Sequence, residues 1–345
     1  MTRKTGQQAA GLRRRVETDT SCRSTRRALL AVLGAGMLTP RIAWPQATKR
    51  RPVVGVIRVN PRDTNETFIE PFRRDMATLG WKENDNVEFA FVWAGGRNDS
   101  LPLLAADMAA RGVDLIITFG PLGARAAQKA TSTIPIIGMA DDLAGAGLVK
   151  SMARPGGNTT GVSILATELD AKRLELLHES VPAARRIGVL HDPSLGLSMP
   201  AVRAAGQAMK IELVYAPAQT ESQIDAAIKA LIKARVTAVN VLASANLNAF
   251  RAHQIAAFAQ ARLPAIYEWP ETAEQGGFMG YGPRNTVVYR HVAELANKIL
   301  RGAKPSELPV EQPTKFELVV NMKTARALNI RIPNTILVRA DKVIE

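Results

Sequence analysis

Residues 114–139, DLIITFGPLGARAAQKATSTIPIIGM, hold the pattern that sets the fold. Asp114 to Phe119 is a short apolar run rich in isoleucine, Gly120-Pro121-Leu122-Gly123 is a turn, Leu122 to Ala130 reads as a helix, and Ile134 to Met139 is a second apolar run. Two strands too apolar to face water on either side, joined by a helix, make a unit of a parallel sheet covered on both faces.

The same alternation extends outward in both directions. Towards the N-terminus, VVGVIRV (53–59) and VEFAFVW (87–93) read as strands, Phe68, Phe72, Met76 and Leu79 recur at helical spacing, and 101–110 is helical. Arg154-Pro155-Gly156-Gly157-Asn158 is strong punctuation and marks a lobe boundary. Beyond it, helices 167–180, 200–209, 221–234 and 247–261 alternate with strands RIGVLHD (186–192), IELVYAP (211–217), AVNVLA (238–243) and PAIYEW (264–269). Helix 286–301 is followed by a Pro-rich linker, GAKPSELPVEQP (302–313), and a strand FELVV (316–320), an order that carries the chain back across the boundary. The expected class is α/β, with two doubly wound parallel-sheet lobes joined by a hinge. The lobes are 52–160 plus about 283–313 and 161–282 plus about 314–345.

Residues 1–47 read as an export signal instead of a fold element. Ser24-Thr25-Arg26-Arg27-Ala28-Leu29-Leu30 opens an apolar run that ends near Thr39, and the paired arginines resemble a twin-arginine leader. Gly34, Gly36 and Pro40 interrupt the run well short of the roughly 20 residues a membrane span needs. With cleavage after Ala47, the mature protein is expected free in the periplasm, without a membrane anchor. The single cysteine, Cys22, lies in the leader, so the mature chain has no disulfide. Half of the formal net charge of +14 belongs to that leader. The remainder is spread over a long chain without a basic stripe interleaved with aromatics, which excludes nucleic acid as an expected partner.

In open parallel sheets, ligands bind beyond the carboxyl ends of the strands, where loops feed helix N-termini. On the first half this selects Asn60, Gly120, Pro121, Asp141 and Asp142. The glycine permits close backbone approach and the two acids either receive an ammonium group or cap a helix through 143–152. On the second half it selects Asp192, Ser194, Ser244, Asn246, Glu268 and Trp269, with Tyr281 at a later strand end. Asn246 is equally an N-cap candidate, and the two aromatics either stack on a ligand or pack in the core. Catalytic patterns are missing. The four histidines lack metal spacing, Gly161-Val162-Ser163-Ile164-Leu165 lacks the closing glycine of a nucleophile elbow, and Gly145-Ala146-Gly147 is followed by Lys150 where a dinucleotide loop needs Gly or Ala. No enzyme activity, metal or cofactor is expected.

Six segments together resemble one family: IEPFRRDMATLGWKENDNV (69–87), residues 114–139, GAGLVKSMARPGGNTTGVS (145–163), KRLELLHESVPAARRIGVL (172–190), GGFMGYG (276–282) and residues 302–333. They look like the ABC-transporter substrate-binding family that includes tryptophan- and tyrosine-associated binding proteins, and the resemblance covers nearly all of 52–345. It implies a type I periplasmic-binding-protein fold, two lobes joined by three crossovers and closing on a small molecule. It carries over Asn60, Gly120, Pro121, Asp141, Asp142, Ser244, Glu268 and Tyr281 as ligand positions, and Thr160 and Gly161 as hinge. Phe119-Gly120-Pro121-Leu122 departs from the Ser/Thr/Ala-rich loop of the family, leaving backbone N–H groups to take the place of hydroxyls. The expected function is periplasmic solute capture for an ABC importer, with a small organic ligand, an inner-membrane permease and its ATPase as partners, and a monomeric chain. The rivals are a binding protein feeding a sensor or chemoreceptor and an exported α/β hydrolase.

Overall fold

The computed structural model describes residues 50–62, 68–194 and 199–345, apart from the side chains of Ala166 and Thr167. The leader read at 1–47 lies outside the described residues. The first sheet is built from β1 (Val53–Arg58), β2 (Glu88–Trp93), β3 (Leu115–Phe119), β4 (Ile136–Ala140) and β5 (Thr159–Ser163), with α1 (Ile69–Thr78), α2 (Leu101–Ala110) and α3 (Gly120–Ala130) between them. Its strand order is β2-β1-β3-β4-β5, parallel throughout. The order turns back on itself between β1 and β3, which opens a crevice at their carboxyl ends.

Alternation along the strands splits the core into two layers. Val54 and Val56 face one way with Phe68 and Phe72, while Ile57 faces the other way with Leu101, Ala105 and Met108 of α2. β3 is buried along its whole length, as a central parallel strand must be.

The second half runs α4 (Ala166–Ser180), β6 (Arg186–His191), α5 (Met199–Ala208), β7 (Glu212–Pro217), α6 (Glu221–Lys233), β8 (Ala238–Val241), α7 (Ala245–Ala249), α8 (Arg251–Gln260), β9 (Ala265–Tyr267), α9 (Pro270–Glu274) and β10 (Met279–Gly282). After α10 (Asn285–Leu300) come β11 (Glu317–Asn321), α11 (Met322–Ala327), α12 (Asn334–Leu337) and β12 (Lys342–Ile344). The sheet order is β12-β11-β10-β9-β8-β6-β7. Only β10 and β11 pair antiparallel, so this sheet is mixed where the sequence predicts a parallel one. The antiparallel pair follows from the detour through α10: the chain leaves the sheet at Gly282 and re-enters from the far side at Glu317. Val288, Tyr289 and Val292 of α10 pack with Val54 and Val56 of the first sheet, so α10 serves the first core although it lies between two strands of the second sheet in sequence.

Two local expectations are corrected. No helix forms over 143–152; the segment is a run of turns, with Gly147 at φ +67°. The predicted helix 247–261 breaks at Phe250 into α7 and α8. No helix among the described residues is long and apolar enough to cross a membrane.

Candidate functional site

The carboxyl ends of the two sheets face each other across one cavity. It encloses about 760 Å³ of space, open solvent at its mouth included. The first sheet contributes Arg58, Asn60, Phe119, Gly120, Pro121, Met139 and Asp141; the second contributes Ser244, Ala245, Asn248, Arg251, Glu268 and Trp269, and Tyr289 reaches in from α10. Seven of the strand-end residues selected from sequence therefore meet here: Asn60, Gly120, Pro121, Asp141, Ser244, Glu268 and Trp269.

The walls touch. Trp269 is buried in the core cluster of the first sheet, Ala243 packs against that same cluster, and Ala245 packs against the other layer of the first sheet. At Gly120 the backbone has φ +77°, a left-handed conformation that glycine adopts without strain, and a side chain there would lie 3.6 Å from Ala245 Cβ. Gly120 thus starts α3 with its backbone facing the opposite wall.

The second wall is fixed by side-chain hydrogen bonds. Asp192 Oδ1 accepts from the backbone N–H of Ser194 (2.9 Å), its Oγ (2.6 Å) and Gln219 Nε2 (2.9 Å). Its Oδ2 accepts from Ser244 Oγ and Asn246 Nδ2, both at 2.9 Å. Ser244 Oγ in turn accepts from the N–H groups of Asn246 and Leu247, capping α7. The N–H of Ser244 donates to Glu268 Oε2 at 3.0 Å.

Behind Glu268 lies a pair that sequence reasoning missed. Asp170 and Arg173 of α4 are both fully buried and form an ion pair at 2.5 Å. Arg173 Nη1 donates to the carbonyl of Tyr281 at 3.0 Å, and Asp170 Oδ1 accepts from the N–H of Ala243 at 3.2 Å. Burial pushes the Glu268 carboxyl up to about 7; the Arg173 cation opposes this, Asp170 adds to it, the Ser244 N–H opposes it and Asp141 adds to it. Charge from Asp141 thus reaches Glu268 from the other wall.

On the first wall, the Arg58 guanidinium sits 3.9 Å from the Phe119 ring centroid and 5.1 Å from that of Phe68. Such stacking fixes the plane of the Arg58 guanidinium against the aromatic rings. The cavity thus combines two cations, Arg58 and Arg251, two acids, Asp141 and Glu268, and three aromatic surfaces, Phe119, Trp269 and Tyr289. Trp269 is 3% exposed, and its Nε1 has no hydrogen-bond partner among the described residues.

The other selected residues lie elsewhere. Asp192, Ser194 and Asn246 line a smaller adjoining recess together with Gly120 and Pro121. Asp142 caps the 142–147 turn, its Oδ1 accepting from the N–H groups of Ala144 and Gly145 at 3.0 and 2.9 Å. Tyr281 packs against the core of the second sheet and lines neither space. Thr160 and Gly161 fall inside β5, where Thr160 Oγ1 donates to the carbonyl of Leu308 (2.8 Å) and the Gly161 carbonyl accepts from the N–H of Glu311 (2.9 Å). This strand therefore lies beside the chain segment that returns to the second sheet. No group of three or more His, Cys, Asp or Glu side chains suited to a metal occurs among the described residues.

Of the residues missed, Arg58 left a signal: it is the one charge within the apolar run 53–59. Tyr289 and Arg173 left none, because both lie within helices whose packing partners are distant in sequence.

Residues 54–344 match the family described as ABC transporter substrate binding protein. The chain belongs to that family. A curated relative, the tyrosine-binding protein of Clostridioides difficile strain R20291, is 26% identical over 289 residues, covering 82% of this chain and 83% of that protein. A crystal structure of a conserved domain protein from Vibrio cholerae superposes with TM-score 0.76 at 25% identity, covering 85% of this chain and 99% of the other. The structure of an ABC domain in complex with L-Trp from Streptococcus pneumonia also gives TM-score 0.76, at 22% identity, over 85% of this chain and all of the other. The fold of this substrate-binding protein is the two-lobed type I periplasmic-binding-protein fold.

Proposed function

We propose that this substrate-binding protein is the solute-capturing component of an ABC importer, exported with residues 1–47 as its twin-arginine-like signal and acting as a monomer in the periplasm. One lobe is proposed as 52–160 plus about 283–313 and the other as 161–282 plus about 314–345, a division that falls within β5 (Thr159–Ser163). The observation that carries this reading is the cavity in which strand-end groups of both sheets converge. A solute held by Asn60, Gly120 and Asp141 on one side and Ser244, Glu268 and Trp269 on the other makes its full set of contacts only when the walls are together. Binding therefore shifts an open population towards closed. The closed form is what an inner-membrane permease, driven by its ATPase, receives.

The cavity favours an amino acid or an aromatic carboxylate. Arg58 and Arg251 suit a carboxylate, and Phe119, Trp269 and Tyr289 suit a planar group. The names of the relatives, one binding tyrosine and one solved with L-Trp, agree with that chemistry. Thr160 and Gly161 are proposed as part of the hinge because β5 lies beside the returning segment 308–311. Thermal-shift screening against amino acids and aromatic acids tests the reading: a Tm rise that grows with concentration is expected from at least one compound. No rise across the whole panel would count against solute capture.

A further inference from the structure

The two acids of the cavity come from opposite walls, Asp141 after β4 and Glu268 after β9, and the charge of Asp141 raises the Glu268 carboxyl further. Resting on the reading of this cavity as the ligand site, we propose that Glu268 carries a proton in the empty protein and exchanges it for the ammonium group of the ligand, which then lies between Glu268 and Asp141.

The geometry supports the exchange from both sides. Glu268 is 9% exposed and one of its oxygens already accepts the Ser244 N–H, leaving the carboxyl fixed at the cavity wall. The charges around it are Arg173 and Asp170 from α4, Asp141 from the first wall, and Arg58 and Arg251 on the cavity lining. Arg173 and Asp170 neutralise each other at 2.5 Å, so the cation nearest in the protein interior is already engaged. Burial in this setting holds the proton on Glu268 up to about pH 7. Trp269, which lines the same cavity, has a buried Nε1 with no hydrogen-bond partner among the described residues.

The balance is simple. The neutral carboxyl plus an alkylammonium gives a carboxylate–ammonium pair and one proton released to solvent. A ligand of the same shape without the amine keeps Arg58 and Arg251 for its carboxylate but has nothing to displace the proton. The site therefore selects amino acids over their deaminated analogues, and more strongly as pH rises through neutrality.

Calorimetry on the full chain tests this, using L-tryptophan and L-tyrosine beside 3-indolepropionate and 3-(4-hydroxyphenyl)propionate in buffers of different ionisation enthalpy. An amino acid should release about half a proton at pH 7 and bind about tenfold more weakly at pH 6 than at pH 8, from the midpoint near 7. The deaminated compounds should bind more weakly and release none, and Glu268→Gln should abolish both the release and the pH slope. Should that variant fail to fold, the proton count on the native chain decides alone. Amino-acid binding with no proton release, or equal binding of the deaminated analogues, overturns the exchange and leaves the capture reading standing. Binding by none of the four overturns the exchange as well, and if the wider panel is also silent the capture reading falls with it.

Discussion

The two walls of the cleft are built by different means. The first presents backbone and stacked side chains: a left-handed glycine opening α3, and Arg58 laid on Phe119. The second is a hydrogen-bonded scaffold in which Asp192 gathers five donors, Ser244 links it to Glu268, and the buried Asp170–Arg173 pair stands behind. A wall made of backbone and stacking tolerates a guest of variable shape. A wall made of mutually bonded polar groups fixes where charge can sit, and a change to one member is felt by the others.

That contrast predicts its largest effect deep in the second wall. Arg173→Ala leaves Asp170 buried without its cation and should cost about 3–5 kcal/mol in urea unfolding, well above any exposed ion pair of the chain. A loss near zero would mean the pair contributes nothing to the wall.

Glu268→Gln should act in the opposite sense. The folded carboxyl keeps its proton up to about 7 while the unfolded one ionises near 4.5, so the native protein loses stability as pH rises between those values. The variant escapes that loss. It should be more stable than the native chain at pH 8 by at most roughly 3 kcal/mol, with the advantage gone at pH 4.5. Unfolding curves at the two pH values check the sign.

Gly161→Ala separates packing from hinge motion. A Cβ at 161 would fall 1.8 Å from the Gly138 carbonyl oxygen in the neighbouring strand. The cost is expected at about 1–3 kcal/mol in Tm-derived stability. A variant that keeps its stability but changes the population of closed protein would make Gly161 a pivot first.

The smallest effect lies outside the cavity, at the turn that follows β4. Asp142→Ala removes the cap of a turn and should cost about 1 kcal/mol, with ligand affinity unchanged in calorimetry. Reduced affinity would bring Asp142 back into the site.

Most of the fold was legible because its strands are continuous apolar runs and its helices are periodic, as 114–139 shows. The antiparallel β10–β11 pair was not, since re-entry direction depends on where α10 docks, which no local pattern records. In the site, the strand-end rule reached Asn60, Gly120, Pro121, Asp141, Ser244, Glu268 and Trp269 because backbone direction alone places them at the cavity. Tyr281 also ends a strand, but its ring packs against the core of the second sheet and lines neither the cavity nor the recess. The rule fell short at Arg251 and Tyr289, which enter from helices. Asp170 and Arg173 resemble in sequence any surface pair at helical spacing; only tertiary burial gives them weight.

The central claim is that one guest is held at once by both walls. A crystal structure of the chain grown with a compound that raises its Tm tests this most directly. Ligand density bounded by Asn60, Gly120 and Asp141 on one side and Ser244 and Glu268 on the other is predicted; density touching one wall alone, or lying outside the cleft, would contradict it.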